Sequence, residues 1–341
     1  MTELSDVVAF RDLLASRWIG PAIHAAAVLG LADVMAGQPM EVAEVAEAVG
    51  AEPDTLRRLL RALTTIGLVE QDGERFRVTS MGALLSADSP VRLRDQVLLT
   101  GGEGSLRGWG QFAACVRTGD TAAKILDGVD DPFASFDGEA RARFDAAMAE
   151  GTRQIAGAVE RAYDFEGITS LVDVGGGYGT LLLPILHASA ERTGVVFDRP
   201  GSAEGAQRII EQEKLTDRYR FAGGDFFTDP VPEGADAYLL KSVIHDWDDA
   251  RALAILRACR LAMRADSRLL LIEVVVPDRL DQAAEHRRMV WADLNMMVAT
   301  GGQERSRSQY EALLTDAGLR IERIVPIDTP TMMSVIETRP L

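Results

Sequence analysis

Apolar residues recur at helical spacing through the first half of the chain and in short β-branched runs through the second, with the change near residue 165. In the first half, Glu41 to Gly50 reads as a short helix and Pro53 to Gly67 as another, opened by a proline and closed by a glycine. Leu56, Leu59, Leu60 and Leu63 share one face of that second helix. The stretch from Leu68 to Thr79 turns at Asp72-Gly73 between two apolar-containing runs, which predicts a hairpin. Helix, turn, helix and hairpin in this order spell a winged helix. From 99 to 165 the pattern is helical, broken by loop signals at Gly101-Gly102, Gly119-Asp120 and Asp130-Asp131-Pro132. After 165, strand-like runs alternate with helical periods, the pattern of a doubly wound α/β sheet. The expected organisation is a helical winged-helix domain over 1–98, a helical connector over 99–165 that walls a pocket, and an α/β domain over 166–341.

A winged helix raises the question of DNA binding, because Arg57, Arg58 and Arg61 lie off the leucine face. Charge argues against it. Residues 1–100 hold nine arginines and no lysine against fourteen acidic residues, and the whole chain carries a formal net charge of -16. No nucleic-acid partner is expected, and the module reads as a protein–protein element. The apolar positions Ile19, Ile23, Val28 and Leu31 suit an interface between two copies of the chain, the alternative being that they pack within their own domain.

With 341 residues, 47% of them hydrophobic, the chain can build two sizeable cores. Its longest uncharged apolar stretch, Trp18 to Ala32, is too short to span a bilayer, and no secretory leader opens the sequence, so a cytoplasmic location without membrane contact is expected. Cys115 and Cys259 stand far apart, and His24, His187, His245 and His286 are dispersed, which gives no disulfide framework and no metal-ligand spacing.

The strongest chemical signal is Leu171-Val-Asp-Val-Gly-Gly-Gly-Tyr-Gly-Thr180, a strand running through glycines into the helical stretch Leu181 to Ala190. Such a loop lets a ligand approach the backbone and aims free N–H groups at it. A dinucleotide fingerprint would need a glycine at 180, where threonine stands. The pattern that fits is acidic-x-Gly-x-Gly-x-Gly at Asp173, Gly175, Gly177 and Gly179. An acid at the end of the first strand repels a pyrophosphate but accepts hydrogen bonds from an ammonium, which favours a cofactor without phosphates. Asp198 ends the second strand, where a carboxylate can take ribose hydroxyls. Gly224, Asp225 and Phe226 follow the third, with an acid for an exocyclic amine and a ring to cover a base.

At this point the chain resembles the class I S-adenosylmethionine (SAM) dependent methyltransferases. Tyr238-Leu-Leu-Lys-Ser-Val-Ile-His-Asp-Trp-Asp-Asp249, Leu269-Leu-Leu-Ile-Glu273 and Gly301-Gly-Gln-Glu-Arg-Ser306 narrow the likeness to the plant caffeic-acid-type and bacterial polyketide-type small-molecule O-methyltransferases, over nearly the whole length. The resemblance implies a Rossmann-like seven-stranded sheet behind a winged-helix dimerisation domain, a homodimer, and SAM as cofactor. It places the methionine moiety at Gly175 and Gly177, the ribose at Asp198, the adenine at Asp225 and Phe226, and Lys241 at the edge of the site. Departures are small: Gln303 and Ser306 stand where Lys and Thr are commoner, and Arg199-Pro200 follows the ribose acid in place of Leu-Pro.

Methyl transfer from a sulfonium needs alignment and removal of the acceptor's proton. His245, after the fourth strand, is the candidate general base for a phenolic hydroxyl, and the resemblance implies Glu273 and Glu304 as the carboxylates that orient it or bracket it, the alternative being a strand-end and a helix-start charge. Asp246, Asp248 and Asp249 precede a helix over Ala250 to Met263 and read as caps and charges that offset its dipole rather than metal ligands, so no divalent ion is expected. By their position relative to the family's landmarks, the resemblance implies that Met148, Trp291, Asn295 and Met296 line the pocket for a small hydroxylated aromatic substrate, the alternative being that they are core. A C- or N-methyltransferase, a diverted SAM-binding enzyme and a SAM-sensing regulator are the competing readings.

Overall fold

The computed structural model describes residues 4–89, 91, 93–131, 133 and 138–341. Two compact units divide it, Met1–Arg107 and Gly108–Leu341. Pro132, in the loop signal at 130–132, lies outside the described residues.

The first unit runs α1 (Leu4–Ala15), α2 (Ile19–Val28), α3 (Leu31–Val34), β1 (Met40–Glu41), α4 (Val42–Val49), α5 (Pro53–Thr65), β2 (Val69–Asp72), β3 (Arg75–Val78) and α6 (Leu93–Thr100), and α7 (Glu103–Trp109) crosses the boundary, with Gly108 and Trp109 in the second unit. A reciprocal capping box between Glu41 and Glu44 opens α4, and the Glu52 side chain accepts the Thr55 N–H at the start of α5. Leu56, Leu60 and Leu63 are buried against Val42, Val45, Ala46 and Phe76, while Leu59 packs at the edge of that core. β2 and β3 pair through Asp72 and Arg75, so the two-residue turn is Gly73-Glu74, one position later than the sequence pattern suggested. The expected apolar run divides: Leu31 is core and Ile23 packs against it, but Ile19 and Val28 are exposed. Exposed with them are Trp18 and, on an α1 that buries no residue, Leu4, Val7, Val8, Phe10, Leu13 and Leu14. No helix among the described residues is long and apolar enough to cross a membrane.

The second unit begins with α8 (Phe112–Thr118), α9 (Ala122–Asp127) and the long α10 (Gly138–Ala162). Its sheet is built from β4 (Ser170–Val174), β5 (Thr193–Asp198), β6 (Tyr219–Gly223), β7 (Ala237–Lys241), β8 (Arg268–Val276), β9 (Arg305–Ser306), β10 (Leu319–Pro326) and β11 (Met333–Pro340). The helices between them are α11 (Leu182–His187), α12 (Ala203–Gln212), α13 (Asp249–Ala262), α14 (Ala284–Ala299) and α15 (Arg307–Asp316). The strand order is β6-β5-β4-β7-β8-β11-β10, with the two-residue β9 paired beside the end of β8. β4 to β8 are parallel and β11 runs antiparallel between β8 and β10. Period-two burial explains why the central strands are apolar throughout: Leu240, Leu269 and Leu271 enter one core, Leu239, Leu270 and Ile272 the other. The chain winds outward from β4 in one direction and from β7 in the other, so the order reverses between them. In open α/β sheets the crevice at the carboxyl ends of such a pair is where ligands bind.

Candidate active site

At the carboxyl end of β4 the glycine loop is tied to β5, because Gly175 N donates to Phe197 O at 2.8 Å and Gly177 N donates to Asp198 Oδ2 at 2.7 Å. Gly175 and Gly177 have φ of 70° and 57°, conformations open to glycine at little cost. Nothing lies within 4 Å of where a Cβ on Gly177 would stand, so the loop presents bare backbone on that side. Asp198 Oδ1 accepts from Arg199 N at 2.6 Å and Arg141 Nη2 at 3.3 Å. Arg141, from α10, also bonds the buried Asp145, and Ser202 joins the same cluster.

Asp173 is 1% exposed and its Oδ2 has no hydrogen-bond partner. Burial, helped by the nearby Asp198 charge and opposed by Lys241, pushes its carboxyl up to about 7. Lys241 responds in the opposite sense, lowered by burial against the pull of Glu273, Asp173 and Asp246. A buried carboxylate oxygen without a donor is complementary to a cationic or N–H-bearing ligand and repels a phosphate.

After β6, Gly224 is buried, gives its N–H to Asp198 O, and lies so close to Phe197 that a Cβ would stand 2.4 Å from the ring. Asp225 accepts from Phe227 N at 2.9 Å and faces Arg199 Nε at 3.7 Å. The Phe226 ring meets Trp247 edge-on and passes 3.6 Å from the Cβ position of Gly175, beside the glycine loop. Asp173, Gly175, Gly177, Asp198 and Phe226 therefore come together as the sequence suggested, while Gly224 acts through packing and its backbone.

β7 leads into a short turn, Ile244–Asp246, that carries His245. Its Nδ1 is 3.0 Å from Glu304 Oε1 and 3.6 Å from Glu273 Oε2, and its Nε2 is 3.7 Å from Asp246 Oδ1. Burial alone would push the imidazolium pKa down, but the Glu273, Asp246 and Glu304 carboxylates outweigh it and raise the ring from 6.5 to about 10. Glu273 is fully buried and does not end its strand, since β8 continues to Val276. Its Oε1 accepts from both Val243 N (3.0 Å) and Ile244 N (2.9 Å), so its first contact is with the backbone of the turn rather than with the ring. Glu304 holds the ring directly, and Asp293 on α14 accepts the Glu304 N–H at 2.8 Å.

The three aspartates after His245 were expected to cap a helix or offset its dipole: Asp248 caps α13, accepting from Arg251 N at 2.8 Å, and Asp249 stands in its first turn, while Asp246 does neither. Asp246 is turned inward beside the imidazole and its carboxyl is raised to about 6, chiefly by burial. Asp249 opens α13 but accepts from Arg305 and Gln303. His245, Glu273 and Glu304 each bring one ligand-type atom within 4.8 Å of the others, the spacing of a metal site, although here the imidazole is engaged by a carboxylate hydrogen bond.

The four residues expected around the substrate lie on two helices. On α10, Met148 is 38% exposed; on α14, Trp291 is 56% exposed and Met296 is half-buried. Asn295 Oδ1 accepts from the Trp109 indole N–H at 3.2 Å, and Trp109 stacks on Phe112 with centroids 5.3 Å apart. Sequence reasoning missed Trp109, Arg141 and Arg305. Only Arg305 had a signal, as the residue after Glu304 in a stretch already noted.

Comparison with known proteins gives a consistent result. Residues 109–320 match the family described as the O-methyltransferase domain, and residues 12–88 match the O-methyltransferase dimerisation domain. The phenazine O-methyltransferase PhzM of Lysobacter antibioticus is 36% identical over 337 residues, covering 97% of this chain and 95% of that protein. The mitomycin biosynthesis 6-O-methyltransferase of Streptomyces lavendulae is 37% identical over 323 residues, 92% of this chain and 89% of that protein. Among solved structures, the O-methyltransferase NcsB1 from neocarzinostatin biosynthesis, in complex with SAM and 2-hydroxy-5-methyl naphthoic acid, aligns with a TM-score of 0.80. It is 34% identical and the match covers 95% of this chain and 96% of that one.

Proposed function

The chain belongs to the O-methyltransferases that carry a dimerisation domain ahead of the catalytic one, and from that membership we propose that it methylates a hydroxyl of a small aromatic natural product with SAM as donor and His245 as general base. The observation that carries the assignment of the base is the buried His245–Glu304 pair at the carboxyl edge of β7, beside the strand whose glycine loop is the cofactor candidate.

The residues present fit SAM. The unpartnered Asp173 oxygen suits the ammonium of the methionine moiety, Gly177 gives it bare backbone where Gly175 turns the loop, Asp198 suits the ribose, and Phe226 with Asp225 the adenine. Bound there, SAM supplies an electrophilic methyl group and one positive charge. His245 takes the acceptor's proton at Nε2, because Nδ1 is committed to Glu304. Glu304 fixes that tautomer and stabilises the imidazolium once it forms. Glu273 keeps the turn in place through two amides, and Met148, Trp291, Asn295 and Met296, with Trp109 behind Asn295, wall the acceptor.

The pH dependence follows in sign. His245 must be neutral to accept a proton, and its carboxylate neighbours raise the pH at which it becomes so, towards about 10. Beside the cationic donor the imidazolium loses stability, which brings the value back down. Turnover is therefore expected to rise through neutral pH, with an acid limb whose apparent pKa lies between 6.5 and about 10. Methyl transfer to two phenols of different acidity, assayed from pH 5 to 10, checks this. The limb stays in place if it belongs to His245 and follows the acceptor if it does not. A limb near pH 4–5 would point instead to a carboxylate base.

The exposed apolar residues of α1, with Trp18, Ile19 and Val28, are read as the surface a second copy covers, making the working unit a homodimer. Two free buried cysteines fit a reducing, cytoplasmic setting. On this reading residues 1–98 dimerise, 99–165 wall the pocket and 166–341 bind the cofactor.

A further inference from the structure

Arg305 is the largest fully buried side chain among the described residues, at 0% exposure, and it is spent on the turn that carries His245. Its Nη1 donates to Ile244 O at 2.9 Å and its Nη2 to Trp247 O at 2.8 Å, while Nε and Nη2 both reach Asp249 Oδ1, at 3.0 and 2.8 Å. On the opposite side of the same turn Glu273 takes the amides of Val243 and Ile244. The backbone donors that lead in thus meet a buried carboxylate, and the carbonyls on either side of His245 and Asp246 meet a buried guanidinium. The turn is pinned at both ends by groups of opposite charge.

Two further contacts tie the segment around Arg305 to the same place. Gly302 packs so tightly that a Cβ would stand 2.0 Å from His245 O, and Glu304, one residue before Arg305, bonds the imidazole itself. Ion pairing alone does not account for the burial, because Asp249 is 69% exposed and has water as an alternative partner. Burying a guanidinium is costly, and an apolar side chain would fill the space at less expense. What an apolar residue, or a lysine, cannot do is hold two carbonyls three residues apart with one rigid planar fork.

We propose that Arg305 is a positioning residue for methyl transfer, fixing the Ile244–Trp247 backbone so that Glu304 and the acceptor meet the two nitrogens of His245 at the same time. This rests on His245 being the base. The test uses full-length Arg305→Gln and Arg305→Lys beside His245→Ala and the native protein. It measures kcat, KM for SAM and for a phenolic acceptor, the acid limb of the pH profile, and the thermal midpoint. Small displacements at a reacting centre are worth about 100-fold in rate. The expected result is a kcat about 100-fold lower in Arg305→Gln, partly restored in Arg305→Lys, with KM for SAM within about twofold of native and a displaced acid limb. Should Arg305→Gln not fold, Arg305→Lys decides by the same criteria. Native kcat in a folded variant overturns the proposal, as does a loss of kcat, SAM affinity and thermal stability in step, or failure of both variants to fold. An active His245→Ala removes the premise instead, whereas an inactive His245→Ala beside fully active Arg305 variants removes only this inference.

Discussion

His245→Ala is expected to leave a protein that binds SAM and has lost methyl transfer, with kcat lower by about 10²- to 10⁴-fold, the range that general-base catalysis supplies. Binding should survive because the cofactor candidates, Asp173, Gly175, Gly177, Asp198 and Phe226, are held by their own contacts with β5 and Trp247 and not by the imidazole. Without the ring, Glu273 loses the cation that holds its carboxyl down, and it takes up a proton more readily. Titration calorimetry with S-adenosylhomocysteine gives the affinity, expected within about twofold of native, and product formation gives kcat. Turnover within a few-fold of native would eliminate His245 as the base.

Asp173→Asn has effects of opposite sign on stability and on binding. The Asp173 carboxyl rises from 3.8 to about 7 on folding, so the folded protein keeps a proton that the unfolded chain releases. This acid is therefore least costly below pH 3.8, and stability drains away as pH climbs from there through about 7. Asparagine does not ionise, and at pH 8–9 the variant should be more stable than native protein by at most about 4 kcal/mol, and so unfold at a higher temperature. The same change removes the anionic partner proposed for the ammonium of SAM, weakening its binding about 10- to 100-fold. Scanning calorimetry of the ligand-free protein and a SAM titration measure the two effects. A lower midpoint, or unchanged affinity, would contradict the role given to Asp173.

How far the sequence could be read depended on whether a residue acts through a periodic pattern or through a contact fixed by the fold. Leu56, Leu60 and Leu63 recur at helical spacing, and the fully apolar runs around Leu239 and Leu270 announce strands covered on both faces. The glycine loop and the acids at strand ends were visible for a similar reason, since each occupies the end of a run. Asp246 was misread because its neighbours suit a helix start, and sequence order could not tell that the chain still makes a short turn there before α13 begins. Glu273 stands beside the imidazole, its Oε2 3.6 Å from Nδ1, but its closest contacts, two backbone amides, are fixed by the fold and had no sequence signal. Arg305, Trp109 and Arg141 act across 58, 186 and 57 positions of sequence, distances at which spacing carries no information.

A crystal grown with S-adenosylhomocysteine and a phenolic acceptor measures the central claim directly. The acceptor oxygen is predicted within hydrogen-bond reach of His245 Nε2, about 2.6–3.2 Å, with Nδ1 still on Glu304. An oxygen held by some other group, with the imidazole facing away from it, would contradict the account.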